Sequence, residues 1–106
     1  MAKYLFRVNY TLDGIRGVVD KGGSAREKAT REAIESLGGT VDCFYYAFGA
    51  CDLVIVADFP DNIAVAALAL AVSAGGGANV ETTVLLTPKE IDKAAKRHVA
   101  YRPPTS

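Results

Sequence analysis

FYYAFGACDLVIVADF, residues 44–59, holds two runs rich in aromatic and β-branched side chains, broken by Gly49-Ala50-Cys51-Asp52. Two such runs joined by a short glycine-containing break read as a β-hairpin, here expected at the centre of a small sheet, with strands over residues 40–48 and 52–59. Working outward, Tyr4, Phe6, Val8 and Tyr10 alternate with Leu5, Arg7 and Asn9, the period of two that marks a half-buried strand over residues 4–10. A fourth strand is expected over residues 79–86.

Helix signals fill the gaps. Ser24-Ala25-Arg26-Glu27 has the spacing of a capping box and is followed by Thr30, Ala33, Ile34 and Leu37 at helical intervals, with Gly38-Gly39 as the stop. Pro60-Asp61-Asn62 opens a second helix to about Ala74, closed by Gly75-Gly76-Gly77. Thr87-Pro88-Lys89-Glu90 opens a third, expected through about Val99 and followed by a Tyr101-Arg102-Pro103-Pro104 tail. Residues 11–23, with four glycines, read as a mobile connector with a short helical turn at Val18-Val19. The order βαββαβ predicts an α+β, ferredoxin-like fold: a four-stranded antiparallel sheet, two helices on one face, and a C-terminal helix. Residues 1–99 form one domain in this reading, and residues 100–106 a tail.

The strands carry apolar residues in both phases. Val41, Cys43 and Tyr45 stand against Phe44, Tyr46 and Phe48, and Leu53 and Ile55 against Val54 and Val56. A lone antiparallel sheet has one polar face, so a cover is expected on both, and the simplest second cover is another copy of the sheet in a dimeric α/β barrel. The helix from Asn62, apolar nearly all round, points to association beyond a dimer. The expected partner is therefore the chain itself, as a homodimer or higher oligomer.

Composition narrows the function classes. Half of the 106 residues are apolar, and twelve basic side chains balance twelve acidic ones, which favours a soluble folded domain over a disordered chain. Zero net charge argues against a broad grip on nucleic acid or an anionic membrane and favours protein or small-molecule partners. The first residues meet a charge at Lys3 and show no apolar signal core, and the longest apolar run, residues 63–72, is half of a membrane span, so a cytoplasmic location is expected. Cys43 and Cys51 are expected as free thiols, and with one histidine and no paired cysteine motif neither a metal site nor a cofactor is expected.

The chain resembles the GYD domain family. The resemblance rests on Asn9-Tyr10-Thr11 with Gly14-Ile15, on Leu37-Gly38-Gly39, on Phe44-Tyr45-Tyr46 leading to Gly49-Ala50-Cys51-Asp52, and on Pro60-Asp61 before Ala66-Ala67-Leu68-Ala69. It covers about residues 3–91 and implies a dimeric α/β barrel. In the name-giving motif Gly49 and Asp52 match, while Cys51 stands where the family has tyrosine. The family implies no general activity.

Five residues are candidates for ligand binding. Arg7 and Asn9 share one side of a strand expected to be central, where an arginine must be paired, with Asp58 as its expected partner, or face a ligand. Tyr45 and Tyr46 point to opposite sides of one strand, and either phenol could line a cavity and orient a carbonyl. Asp52 reads as a turn cap or as a carboxylate at a pocket rim. His98, beside Lys96 and Arg97, is a remote acid/base candidate, and Arg16 and Lys21 in the glycine-rich connector form a weak anion-nest signal. Three functions compete: a homo-oligomeric binding or regulatory module that holds a small apolar or anionic ligand; a cofactor-independent dimeric-barrel enzyme acting on a small carbonyl or aromatic compound; and a protein-interaction module.

Overall fold

The computed structural model describes residues 1–105. Eight elements follow one another: β1 (Ala2–Tyr10), α1 (Leu12–Lys21), α2 (Gly23–Ser36), β2 (Thr40–Tyr46), β3 (Leu53–Phe59), α3 (Asn62–Gly75), β4 (Ala78–Leu85) and α4 (Pro88–Ala95). The strands form one antiparallel sheet in the order β2-β3-β1-β4, the ferredoxin-like α+β arrangement. The hairpin of residues 44–59 is present, but only its second strand is central; β2 is an edge strand.

One face of the sheet makes the core. Tyr4, Phe6 and Val8 of β1 and Leu53, Ile55, Ala57 and Phe59 of β3 are buried together with Ile34 of α2 and Val65 and Leu68 of α3. Phe59 packs edge-on against Tyr4 and Phe6, with ring centroids 6.0 and 5.7 Å away, the geometry that sets a positive ring edge against a negative ring face. The Tyr4 hydroxyl reaches the Asn62 side-chain carbonyl oxygen, tying β1 to the start of α3.

Local chemistry explains the helix ends. Asp61 caps α3 by accepting from the Ala64 amide at 2.8 Å. At the other end of α2, Gly38 takes φ +81°, and the Gly39 and Gly38 amides donate to the Ile34 and Glu35 carbonyls, the six-to-one and five-to-two bonds that satisfy a helix C-terminus.

Four expectations are corrected. Residues 11–23 are not a loose connector: Thr11 caps a ten-residue helix, α1, by accepting from the Gly14 amide. The capping box at Ser24 and Glu27 does not form, because Gly22 at φ +90° both ends α1 and begins α2 before Ser24 is reached; Glu27 instead pairs with Arg31 at 3.0 Å. The alternation of β2 breaks at a bulge between Val41 and Cys43, so Val41 shares the core side with Phe44 and Tyr46, while Cys43 and Tyr45 face outward. Asp58 pairs with Lys3 at 3.1 Å rather than with Arg7. Lys3 also reaches Asp42, the extra residue of the bulge, and the two carboxylates hold its ammonium protonated above the ordinary lysine range, Asp42 contributing most.

The second sheet face is open. Leu5, Val54 and Val56 are half-buried there, and Arg7, Asn9 and Tyr45 are exposed. No described helix is long and apolar enough to cross a membrane. Both cysteines are free, Cys43 on the open face and Cys51 buried in the hairpin tip.

α4 ends at Ala95, short of the expected Val99, where Lys96, Arg97 and His98 follow with nothing packed against them. Its capping box is complete: Thr87 accepts from the Glu90 amide at 3.1 Å, and Glu90 accepts from the Thr87 amide at 2.9 Å. Those bonds lower the Glu90 pKa, so their contribution is present above the ordinary carboxylate value and is lost as pH falls through the lowered one. Acidification below about pH 4.5 is therefore expected to fray α4 while the sheet stays folded, which backbone amide shifts at Thr87, Glu90 and Ile91 followed by NMR against pH would register.

Candidate functional site

The end of β1 positions the site. Asp52, leaving the hairpin tip, accepts a hydrogen bond from the Tyr10 amide at 2.8 Å, and its own amide donates to the Val8 carbonyl at 2.9 Å. One residue on, the Thr11 amide donates to the Gly77 carbonyl at 3.0 Å and its hydroxyl donates to the Gly76 carbonyl at 2.8 Å. These bonds lash the start of α1 to the glycine turn between α3 and β4. The approach is so close that a Cβ on Gly14 would stand 1.8 Å from the Gly77 carbonyl oxygen.

Beside this crossing lies a cleft of about 450 Å³ between α1, α2 and α3. Tyr10 and Ala78 form its floor, Leu68, Ala71 and Val72 of α3 its apolar wall, and Gly14 and Gly17 of α1 the facing wall. Gly14, Gly17 and Lys21 fall on one helical face at intervals of three and four, which puts the two glycines and the cation along the same side. Lys21 and Arg26 bring two positive charges to the cleft, and Asp13 one negative charge. A volume in this range, mostly apolar with a few polar groups, suits a small organic molecule.

Tyr10 is the polar group on the floor. Burial pushes its pKa up to about 12, with the neighbouring Tyr46 hydroxyl adding to the shift and the Arg26 guanidinium opposing it. The phenol is therefore neutral and a hydrogen-bond donor at physiological pH. The Tyr46 hydroxyl donates to the Gly23 carbonyl at 3.0 Å, so Tyr46 braces the start of α2 against the sheet.

The five candidate residues are divided among three places. Arg7, Asn9 and Tyr45 lie on the open sheet face, where Arg7 and Tyr45 both stand opposite Val54 and Arg7 also opposes Glu81. Tyr46 lies on the helix-covered face, next to Tyr10. Asp52 supports Tyr10 through its backbone. His98 is exposed beyond α4. None of the six lines the cleft; Tyr46 and Asp52 serve it by holding Tyr10. Tyr10, Arg26 and Asp13 were not among the sequence candidates. The signal that marks them is the spacing Tyr10-Thr11, Gly14, Gly17, Lys21, once residues 12–21 are read as a helix with a glycine face.

Two expectations follow. Gly14→Ala drives a methyl into the Gly77 carbonyl and should lower stability by about 1–3 kcal/mol, the usual cost of overpacking. Gly17→Ala, whose Cβ meets nothing within 4 Å, should raise it by about 0.5–1 kcal/mol through helix propensity; urea denaturation of both variants decides. In a spectroscopic titration one tyrosine should ionise near pH 12 and vanish in Tyr10→Phe. Because the unfolded phenol ionises first, stability should be full below about pH 10 and fall as pH rises from there.

No curated protein and no solved structure matches the chain significantly. The GYD domain profile matches residues 4–95, taking in every strand and helix just described apart from the first two residues of β1. The chain belongs to the GYD domain family.

Proposed function

We propose that this chain is a homo-oligomeric module that binds a small molecule with an apolar body and an anionic head in the cleft between α1, α2 and α3. The observation that carries the proposal is the cleft itself: glycine and alanine walls around about 450 Å³, a neutral phenol on the floor, and two cations against one anion at the mouth. The apolar walls exclude water from the body of the ligand, while Arg26 and Lys21 offset its charge. The dimeric-barrel enzyme reading requires at least two of Arg7, Asn9, Tyr45, Tyr46, Asp52 and His98 in one cavity; Arg7, Asn9 and Tyr45 share the open sheet face, and the cleft gathers none of the six. Self-association is supported by the open sheet face, where Leu5, Val54, Val56 and Tyr45 await a cover such as a second sheet. The regulatory half of the reading rests on binding in this cleft.

Benzoate serves as a minimal probe, having a flat apolar body and one carboxylate. Added to isotope-labelled protein, it should shift the amides of Gly14, Gly17, Arg26 and Gly77. Gly17→Leu, which fills the cleft from open space, should abolish those shifts, and Arg26→Gln should weaken binding about tenfold, equivalent to ~1.4 kcal/mol. Shifts confined to the open sheet face, or unchanged in Gly17→Leu, would refute the cleft as the binding site. Native mass spectrometry of the purified protein gives the subunit number and any retained molecule.

A further inference from the structure

The cleft between α1, α2 and α3 holds charges that do not pair with one another. Its lining carries Asp13, Lys21 and Arg26, and the ion pairs among the described residues join Lys3 to Asp42 and Asp58 and Arg31 to Glu27. All three cleft side chains therefore lack a counter-charge within the described protein. Two cations alone would suit an anionic head, but Asp13 repels the very group that Lys21 and Arg26 attract. A ligand with one charge leaves that carboxylate opposed or idle.

The two signs sit at opposite ends. Asp13 belongs to the first turn of α1, which the Thr11 amide and hydroxyl tie to the Gly77 and Gly76 carbonyls. On the same side α3 finishes at Gly75, another residue of the cleft, where its helix dipole is negative. Lys21 closes α1 eight residues after Asp13, a rise of roughly 12 Å. Arg26 is the fourth residue of α2, close to the Gly23 carbonyl that receives the Tyr46 hydroxyl, and its charge acts on the neighbouring Tyr10 phenol. Phenol, guanidinium and ammonium thus share one end, as donors. The other end offers Asp13 and the negative end of α3. Gly14 and Gly17 on one side and Leu68, Ala71 and Val72 on the other line the stretch between. Asp13 and Lys21 also suit the dipole of α1 itself, which accounts for neither Arg26 nor the meeting of all three at one cleft.

We propose that the cleft takes an elongated zwitterion: a carboxylate held by Arg26, Lys21 and the Tyr10 hydroxyl, an apolar body between the glycine face of α1 and α3, and an ammonium held by Asp13. This ligand class rests on the cleft being the binding site, as proposed above, and adds the ligand's second charge and its place. An α-amino acid does not meet the pattern, since its two charges stand on one carbon and cannot reach both ends. Ion pairs at a partly open site are modest, so the ammonium should add about fivefold to affinity rather than thousands.

Three probes divide the possibilities, each titrated into the isotope-labelled full chain at neutral pH and followed by backbone amide shifts. The first, 4-(aminomethyl)benzoate, carries its charges at opposite ends of a benzene ring. Its isomer phenylglycine carries them on one carbon, and 4-methylbenzoate has the carboxylate alone. The first should bind about fivefold tighter than 4-methylbenzoate and shift Asp13, Gly14 and Gly75 together with Arg26. Asp13→Asn should bring the two affinities within about twofold of each other, and Asp13→Glu should keep them apart, a contrast that a merely structural Asp13 would not produce. Three results would overturn the zwitterion while 4-methylbenzoate still marks the cleft: 4-(aminomethyl)benzoate binding no tighter than 4-methylbenzoate, phenylglycine binding as tightly as its isomer, or an advantage that survives Asp13→Asn. If none of the three probes shifts the cleft amides, the cleft is not the binding site, and the zwitterion goes with it.

Discussion

Everything that distinguishes this domain from a bare sheet with two helices depends on how β1 ends. Asp52 and the Gly76-Gly77 turn take the amides of Tyr10 and Thr11 at the moment the chain leaves the strand, and Thr11 uses one hydroxyl to donate to that turn and to accept from the first turn of α1. A junction held by three hydrogen bonds from two distant parts of the chain, with a fourth inside the first turn of α1, gives α1 a fixed direction. Gly14 then allows two backbones to meet where any side chain would force them apart. The cleft is the space left beside that contact.

Local signals were readable where local chemistry decides structure. The alternation of residues 4–10, the Asp61 cap, the Gly38-Gly39 stop and the Thr87-Glu90 box are each complete within a few residues, and each is found in place. Opposite orientations for Tyr45 and Tyr46 also followed from the strand period alone. Where the structure departs, the cause is a partner remote in sequence. The glycines of residues 11–23 carry weak helix propensity, and α1 forms because Gly77 and Thr11 anchor it. The bulge at Asp42 answers to Lys3, 39 residues away. Gly22 serves two helices at once, a role that neither helix's own pattern reveals.

The candidate site was readable only at its supports. Asp52 and Tyr46 stood out as polar groups at a turn and on a strand, and both act on Tyr10. Tyr10 itself read as one more inward aromatic of β1, since its partial burial under α1 depends on a helix the glycines concealed. Arg26 read as the interior of a capping box. Four segments converge on the cleft, and no single window of sequence contains two of its walls.

No residue of α1 is buried, which places this helix apart from the sheet, α2 and α3 in energetic standing. Detaching it would uncover little apolar surface, so its amides belong to the fast-exchanging end of the protection ladder while those of β1 and β3 share the global unfolding free energy. Because Gly14 and Gly17 wall the cleft from this side, occupancy of the cleft and ordering of α1 are thermodynamically linked. Any molecule seated there tightens a helix that the core does not hold, and the amides of residues 12–21 become its reporters.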